Sequence, residues 1–313
     1  MNIVAIIVSY KNEEMTCNYT DKELSKCKEI TNVIIVNNAA TVNSNAKILT
    51  GIKDCEQYDG KSYYGSRVVL ISNKENSGFA RGNNIGAEFA IKFLNPSYIL
   101  FTNDDIHIND TDIIHKMLGH FHQDETIGAI GPKVIMPNGV DQSPIIDQGL
   151  FNNYLRIPLS VLFRIPGKKK REAYIKSGGK SDELMNNGGY CTAVLGAFFM
   201  VDSNKFQKCG MFDERTFLYC EEFILGARLK QYGYNVYYMP QTSVLHYGAV
   251  STSKSERNKV LRKIGEDSTV VYFHYYHHYP KIWVRMVYRL GYTLRDIISF
   301  IGNKKARNYE TKI

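Results

Sequence analysis

One apolar run that ends in two adjacent acids constrains the fold of this chain more than any other stretch. Residues 98–108 read YILFTNDDIHI, so four β-prone residues are followed by polar ones, with Asp104 and Asp105 side by side. An uninterrupted run of this kind predicts a strand that is buried on both faces of a mostly parallel sheet. The acids then lie at the carboxyl edge, where open α/β sheets bind ligands.

Two carboxylates beside a buried strand repel each other and lose hydration, so they are tolerated chiefly in water or on a cation. A hard divalent ion with oxygen ligands fits Asp104 and Asp105 best. The alternative is a solvated turn that opens a helix over residues 111–118, with Asn109 or Asp110 as its cap. The dipeptide alone leaves both interpretations open.

Other apolar runs predict the remaining strands of an α/β sheet. Residues 2–10 and 33–36 are strands that end in polar residues, and the helix-compatible segment 16–30 between them completes a β-α-β opening. A long connection with a short helix near residues 46–52 leads to a third strand. Further strands are predicted at residues 67–72, 127–134, 195–201, 236–239 and 243–245.

Three glycines precede a predicted helix at residues 88–94. Gly78, Gly82 and Gly86 match neither the dinucleotide-binding pattern nor the P-loop. Their spacing of four lies along one side of a helix, so we expect that helix to pack closely on the sheet. Arg81, near the helix start, suits pairing with phosphate, although a surface salt bridge is the alternative.

Two further acids and one histidine are candidate site residues. Glu221 and Glu222 precede the apolar helical pattern at residues 223–229, where the helix dipole favours negative charge and is a sufficient explanation for both. His246 follows the strand at residues 243–245. A single histidine there is more often structural than a metal ligand, unless a metal site is already expected nearby.

Residues 137–190 have no clear periodicity, which predicts loops over the site that select the substrate. The basic run at residues 168–171 is interpreted as a solvated part of these loops. The six cysteines contain no C-x-x-C pair, which favours reduced thiols over a zinc knuckle or disulfides. No apolar run approaches membrane-spanning length, and residues 1–4 enter a strand without a signal-type segment, so we expect a cytoplasmic protein.

The net charge of +8 lies entirely in the tail, because residues 253–313 hold 13 Lys and Arg against 5 Asp and Glu. A basic nucleic-acid-binding face on the main body is therefore not indicated. The tail also predicts an amphipathic helix, because its apolar residues follow steps of three and four and basic residues flank them. The apolar set is Trp283, Met286, Val287, Leu290, Leu294, Ile297, Ile298 and Ile301, and the basic set is Lys281, Arg285, Arg289 and Arg295.

This helix at residues 281–313 could dock on the protein body, bind another subunit in a homo-oligomer, or lie on an anionic bilayer. The concentration of charge favours the membrane surface. The aromatic stretch at residues 272–279 suits an interfacial belt or a packed helix equally well.

The order of these motifs resembles family 2 glycosyltransferases with the GT-A fold, in the rhamnosyltransferase-like branch that builds bacterial surface polysaccharides. The matching stretches cover about residues 3–252, weakly at 39–66 and 137–190. They are VAIIVSYKNEE (4–14), VIIVNNAA (33–40), ENSGFARGNNIGAEFA (75–90), YILFTNDDIHI (98–108), the segment 195–234 and VLHYGAVST (244–252). The resemblance implies a mixed Rossmann-like sheet flanked by helices at residues 1–252, with a donor half at about 1–108, an acceptor half at about 109–252 and a basic helical extension at 253–313.

The resemblance also implies roles for individual residues. Asp105 would be the direct metal ligand, Asp104 would lie near the donor ribose, and His246 would join the metal and diphosphate site. Glu222 would be the catalytic base, with Glu221 as the competing assignment. The nucleotide and diphosphate pocket would be lined by Ser9, Tyr10, Asn12, Asn37, Asn76, Arg81 and Asn103.

The implied activity is an inverting, Mg²⁺- or Mn²⁺-dependent transfer of a sugar from a UDP-, dTDP- or GDP-linked donor. The acceptor would be a saccharide or a lipid-linked saccharide, and the enzyme would lie at the inner face of the cell membrane. The sequence departs from the family pattern at Asn37, Glu222 and Ile224. Two rivals stay open, the first because the departures at Asn37 and Ile224 could signal lost activity and the second because it shares an α/β fold and acid-bound Mg²⁺. These are a non-catalytic nucleotide-sugar-binding or membrane-adaptor protein, and a sugar nucleotidyltransferase, for which residues 9–14 lack a glycine-rich basic loop.

Overall fold

The computed structural model describes residues 1–156, 158–159, 180–248 and 255–310, with the backbone alone for residues 255–258 and 301–310. The basic run at residues 168–171 lies outside the described residues. Ten strands of the described chain form one mixed sheet. They are β1 (Ile3–Ser9), β2 (Asn32–Asn38), β3 (Cys55–Gln57), β4 (Val68–Asn73), β5 (Tyr98–Thr102), β6 (Ile106–Ile108), β7 (Ile127–Ile135), β8 (Gly189–Cys191), β9 (Phe198–Asp202) and β10 (Asn235–His246).

Helices cover the sheet and extend beyond it. They are α1 (Glu13–Lys22), α2 (Val42–Gly51), α3 (Gly78–Leu94), α4 (Ile113–Gln123), α5 (Asp182–Asn187), α6 (Ser203–Lys208), α7 (Glu221–Gln231), α8 (Ser255–Tyr275) and α9 (Lys281–Glu310). A 3₁₀ turn at Leu24–Lys26 and a π-helical turn at Asn152–Arg156 complete the described helical elements. None of the described helices combines the length and the hydropathy that a membrane crossing requires.

The sheet order is β3-β4-β2-β1-β5-β9-β7-β10-β6, with β8 beside β10. The five strands from β3 to β5 are parallel, so the polar residues that follow β1, β2 and β5 meet at one edge. Beyond them, β9 runs antiparallel between β5 and β7, and β6 pairs antiparallel with β10. The mixed α/β sheet expected from the sequence is confirmed. The two strands predicted at residues 236–239 and 243–245 are one strand, β10, with an irregular register between Met239 and Ser243.

Helix α3 begins at Gly78 rather than at residue 88. Added Cβ atoms would lie 3.0 Å from a Val8 methyl carbon at Gly82 and 2.7 Å from an Ile6 methyl carbon at Gly86. These glycines therefore let α3 approach β1 closely, as their spacing predicts. Gly78 has a φ of +78°, and a Cβ there would lie 2.1 Å from the carbonyl oxygen of Phe217.

The two acids after β5 do not open a helix. They lead into β6, and α4 begins only at Ile113, after Asp112. The capping roles considered for Asn109 and Asp110 are therefore wrong. Asp110 instead accepts hydrogen bonds from Lys116 and from Thr242 of β10.

Two apolar clusters lie against the sheet, and a third apolar cluster joins helices α8 and α9 to the body of the protein. The third cluster contains Leu150, Leu155, Ile224, Val270, Tyr272, Phe273, Val284 and Val287. The apolar stripe predicted for the tail is divided between two faces. Val287 is buried and Leu294 is partly buried, whereas Trp283, Met286 and Leu290 are 55%, 58% and 50% exposed. Small and aromatic residues complete the inner face, because Gly291 fits against Tyr154 and Tyr288 is buried.

Candidate active site

The carboxyl edge of the parallel strands brings Asp104 close to the end of β1. Its Oδ2 accepts a hydrogen bond of 2.7 Å from the Thr16 hydroxyl, which lies 2.6 Å from Ser9 Oγ. Burial, together with the adjacent Asp105, raises the pKa of Asp104 to about 6, although the hydrogen bond from Thr16 acts to lower it. Burial and a neighbouring carboxylate both destabilise the ionised form of Asp104. A bound cation or a hydrogen-bond donor would stabilise that form.

Asp105 faces a histidine that lies far away in the sequence. Strand β10 pairs His246 with Ile106 of β6, and His246 Nε2 lies 3.4 Å from Asp105 Oδ1. This Oδ1 atom is buried and has no hydrogen-bond partner. The other ring nitrogen, Nδ1, lies 2.8 Å from Gln142 Oε1.

An orphaned carboxylate oxygen beside an imidazole nitrogen fits Mg²⁺ or Mn²⁺, whose protein ligands are oxygen and, for manganese, also nitrogen. In the described residues, no three His, Cys, Asp or Glu side chains are grouped to hold a metal ion. Asp105 and His246 could therefore supply only part of a coordination shell. The remainder would come from water, amide or hydroxyl groups, or from a ligand.

A cavity of about 190 Å³ lies over the same edge. It brings together three of the predicted pocket residues, Tyr10, Asn76 and Asn103, with Phe79 and Phe217. Asn12 lies instead in a cleft of about 940 Å³ between α1 and α2.

Two predicted pocket residues are engaged in other contacts. Asn37 is buried, and its Nδ2 donates to Ser44 Oγ at 2.8 Å and to Asn45 Oδ1 at 2.7 Å, which ties β2 to α2. Arg81 is largely exposed, with Nη1 3.9 Å from Glu214 Oε2, so the surface ion pair considered above is present as a long contact.

Sequence reasoning did not single out Asn38 or Gln142. Asn38 Nδ2 donates to Asn76 Oδ1 at 3.0 Å, and its Oδ1 accepts from the backbone N–H of Ser77 at 3.1 Å. It thereby fixes the turn into α3. Its position after an apolar strand was the available signal, whereas Gln142 lies in a segment without periodicity.

Glu221 and Glu222 form the first turn of α7, as predicted, and the structure links Glu222 to the carboxyl edge of the parallel strands. Its Oε1 accepts a 3.0 Å hydrogen bond from the backbone N–H of Gly196. The carbonyl oxygen of the next residue, Ala197, accepts a 2.9 Å hydrogen bond from the backbone N–H of Asn103. The second acid of α7 is thus linked through two backbone contacts to the residues that end β5.

The two glutamates differ in accessibility. Glu221 is 3% exposed and its Oε1 has no hydrogen-bond partner, whereas Glu222 is only partly buried. Burial raises the pKa of both carboxyls, and the neighbouring Glu222 raises that of Glu221 further. Tyr219 and Cys220 precede them with φ angles of +78° and +69°. Non-glycine residues in this left-handed region are uncommon and often occur at functional sites.

A buried carboxylate ties α7 to the C-terminal helices. Asp213 is 4% exposed and accepts hydrogen bonds from Arg215 Nε at 2.9 Å and from Tyr276, the residue that follows α8, at 2.7 Å. Arg228 of α7 donates to the Tyr276 hydroxyl at 2.8 Å. The helix that carries the two glutamates is therefore held against α8 by polar contacts as well as by the third apolar cluster.

Residues 4–175 match the family model described as glycosyl transferase family 2. The chain belongs to this family. It is therefore a glycosyltransferase, as the resemblance implied, and its mixed sheet with flanking helices is the expected GT-A fold. The rival interpretations as an adaptor or a nucleotidyltransferase are not favoured.

Curated relatives of this glycosyltransferase include a low-salt glycan biosynthesis hexosyltransferase, Agl10, from Haloferax volcanii. It is 23% identical over 253 residues, which cover 80% of this chain and 69% of the relative. The rhamnosyltransferase WbbL from Escherichia coli is 24% identical over 201 residues, which cover 62% of this chain and 66% of the relative. A mycobacterial N-acetylglucosaminyl-diphospho-decaprenol L-rhamnosyltransferase is 41% identical over 61 residues, covering 20% of each chain.

Solved structures share the fold at low sequence identity. The mannosyltransferase PcManGT from Pyrobaculum calidifontis, in complex with GDP-Man and Mn²⁺, aligns with a TM-score of 0.54 and 11% identity, covering 97% of this chain and 79% of that chain. GalNAc-T7 with UDP, GalNAc and Mn²⁺ aligns with a TM-score of 0.50 and 12% identity, covering 90% and 52%.

Proposed function

We propose that this glycosyltransferase is inverting and metal-dependent, and that it transfers a sugar from a nucleotide-diphosphate donor to a hydroxyl of a saccharide or lipid-linked acceptor. The observation that carries the proposal is the buried, unpartnered Oδ1 of Asp105, which lies 3.4 Å from His246 Nε2. An isolated buried carboxylate oxygen is costly, and a divalent cation bound beside it would remove that cost.

In this proposal, Asp105 and His246 would hold Mg²⁺ or Mn²⁺ at the site of the donor diphosphate. The cation supplies neutralisation of the charge that develops on the leaving group. Asp104 lies near the donor ribose, and its burial, which raises its pKa to about 6, favours a hydrogen-bonding partner there. The remaining donor-pocket residues are Ser9, Tyr10, Asn12, Asn37, Asn76, Arg81 and Asn103.

Glu222 is proposed as the base. Its carboxylate takes the proton of the acceptor hydroxyl while the oxygen attacks the anomeric carbon and the bond to the diphosphate breaks. A single displacement inverts the anomeric centre. Glu222 is supported over Glu221 because it keeps accessible surface and contacts Gly196 beside the donor edge, whereas Glu221 is 3% exposed.

The first experiment identifies the donor by a thermal-shift screen of UDP-, dTDP- and GDP-sugars with and without Mn²⁺, because a ligand that binds the folded state raises Tm. Donor hydrolysis and transfer are then measured for Asp105→Ala and Glu222→Gln. Asp112→Ala and Glu88→Gln are matched controls on exposed acids. Near wild-type rates in the two site variants would refute these assignments.

We also propose that residues 1–252 form the transferase domain, that residues 253–313 form a basic helical extension, and that its part at 281–313 rests on an anionic membrane at the cytoplasmic face. The outward residues Trp283, Met286 and Leu290 support this, since large exposed apolar side chains beside basic residues suit a bilayer surface. A polysaccharide acceptor on a lipid carrier would be reached from the same surface.

Deleting residues 281–313 is a poor test of membrane binding, because Val284 and Val287 belong to the third apolar cluster. The full chain with Trp283→Ser, Met286→Ser and Leu290→Ser is preferable, because these side chains are exposed. We expect it to sediment with anionic liposomes at least about tenfold more weakly than the wild type. Unchanged sedimentation with loss of a dimer in solution would favour the homo-oligomer alternative.

A further inference from the structure

Gln142 contacts the histidine of the proposed metal pair from the side opposite Asp105. Its Oε1 lies 2.8 Å from His246 Nδ1, while His246 Nε2 faces Asp105 Oδ1 at 3.4 Å. An amide oxygen only accepts hydrogen bonds, so this contact requires a hydrogen on Nδ1. In the neutral ring, Nε2 then keeps its lone pair.

The segment that carries Gln142 is fixed by its own contacts. The backbone N–H of Gln142 donates to the Val134 carbonyl of β7 at 2.8 Å. Lys180 Nζ donates to the carbonyl oxygens of both neighbours, Asp141 and Ser143, at 3.1 Å each. Lys133 Nζ lies 3.8 Å from Asp141 Oδ2. The amide is therefore presented to His246 from a backbone that is anchored on both sides.

Without the amide oxygen, the ring would have a different preferred form. Nε2 could carry the hydrogen and donate it to Asp105 Oδ1, which is otherwise unpartnered. That hydrogen bond would satisfy the carboxylate and occupy the nitrogen lone pair at the same time. The partner of Nδ1 therefore determines which of two states His246 and Asp105 adopt. Either both offer a lone pair to a cation, or His246 donates a hydrogen bond to Asp105 and neither does.

We propose that Gln142 is a positioning residue, which holds His246 in the Nδ1–H tautomer and so keeps Nε2 available to the cation beside Asp105. This inference rests on the proposed metal site. Gln142 lies in the segment between β7 and residue 156. The other residues of the proposed metal site come from the turn between β5 and β6 and from β10.

The test compares Gln142→Met, which keeps the length but removes the acceptor, with Gln142→Glu, which keeps an accepting oxygen. Gln123→Met makes the same chemical change on an exposed residue at the end of α4. Long-range ¹H–¹⁵N correlations on metal-free, ¹⁵N-histidine-labelled full-length protein identify the tautomer, and His246→Asn assigns the signal. We expect Nδ1–H in the wild type, Gln142→Glu and Gln123→Met, and Nε2–H in Gln142→Met.

Titration with Mn²⁺ alone, followed by electron paramagnetic resonance, gives the second readout. We expect Gln142→Met to bind about 10- to 100-fold more weakly than the wild type, as for other partners of metal-bound histidines, and Gln142→Glu to bind at least as tightly. Retention of the Nδ1–H tautomer in Gln142→Met, or Mn²⁺ affinity within about twofold of the wild type, would overturn the role of Gln142. If His246→Asn and the wild type bind Mn²⁺ equally, the metal site itself fails, and the inference fails with it.

Discussion

Replacing Gly196 with alanine should separate the catalytic role of Glu222 from the stability of the fold. A Cβ at this position would lie 2.7 Å from Glu222 Oε1, so the carboxylate must retreat by about 0.7 Å to restore an ordinary contact of 3.4 Å. The 3.0 Å hydrogen bond from the Gly196 N–H is then lost or lengthened. Because a misplacement of about 1 Å can cost about 100-fold in rate, we expect kcat to fall by about 10- to 100-fold.

The stability of Gly196→Ala should change little. The atom that the new methyl group meets is the far end of a flexible side chain, and Phe79 Cζ, at 3.2 Å, needs only a small shift. The loss of one hydrogen bond is partly offset by the lower chain entropy of alanine in the unfolded state, so the free energy of unfolding should stay within about 1 kcal/mol.

Steady-state kinetics and thermal melts on the same preparations decide the outcome. Gly119→Ala is the matched control, because a Cβ there meets nothing within 4 Å inside α4. It should stabilise the protein by about 0.5–1 kcal/mol and leave kcat unchanged. If folded Gly196→Ala keeps kcat within about twofold of the wild type, Glu222 is not positioned through Gly196 and its assignment as the base is wrong.

Three further changes test other parts of the structure. Gly78→Ala should lower the free energy of unfolding by more than about 3 kcal/mol, because the left-handed backbone and the 2.1 Å approach to the Phe217 carbonyl both exclude a side chain; an unchanged melting temperature would contradict this. Burial raises the pKa of Glu221, so the free energy of unfolding of the wild type falls as pH rises above the ordinary glutamate value of 4.5 towards the raised value. Glu221→Gln should therefore gain stability relative to the wild type as pH rises from 4.5, which urea titrations at successive pH values measure. Burial opposes ionisation of Asp213, yet hydrogen bonds from Arg215 and Tyr276 lower its pKa to about 2. The contribution of Asp213 to the free energy of unfolding is therefore lost as pH falls from 3.8 towards that value. Asp213→Asn should cost about 3–5 kcal/mol at neutral pH and remove this acid dependence, which chemical denaturation measures.

The parallel part of the sheet could be predicted because its signals are local. Apolar runs such as residues 3–7 and 99–101 are buried on both faces, and parallel strands bring the polar residues at their ends to one edge. Sequence pattern predicts a start of α3 that is too late, because glycine and asparagine are poor helix formers. Packing against Ile6 and Val8 overrides that propensity.

The rest of the site depends on contacts between residues far apart in the chain. His246 reaches Asp105 only because β10 pairs antiparallel with β6, and a run of apolar residues does not encode that partner. Gln142 has no local pattern at all. Its role depends on a hydrogen bond across 104 positions, which no periodicity in the sequence records.

The tail illustrates a different difficulty. Its apolar periodicity correctly predicts a helix, α9, but hydropathy does not specify which side faces the protein. Gly291 and Tyr288 lie on the packed side, although neither belongs to the predicted stripe. The inner face of α9 extends beyond the aliphatic pattern for two reasons. Gly291 is small enough to let the backbone of Tyr154 approach, and Tyr288 packs there with its apolar ring.

The contacts of Asp213 also affect how the exposed face of the tail is oriented relative to the candidate site. This carboxylate contacts Arg228 of α7 and Tyr276, the residue that follows α8, and α8 packs on α9. Detaching the tail would therefore expose an ionised group that is now shielded. The outward row of Trp283, Met286 and Leu290 is therefore held at a set angle to Glu222. In the proposed arrangement, the surface that contacts this row determines the direction from which the acceptor approaches Glu222.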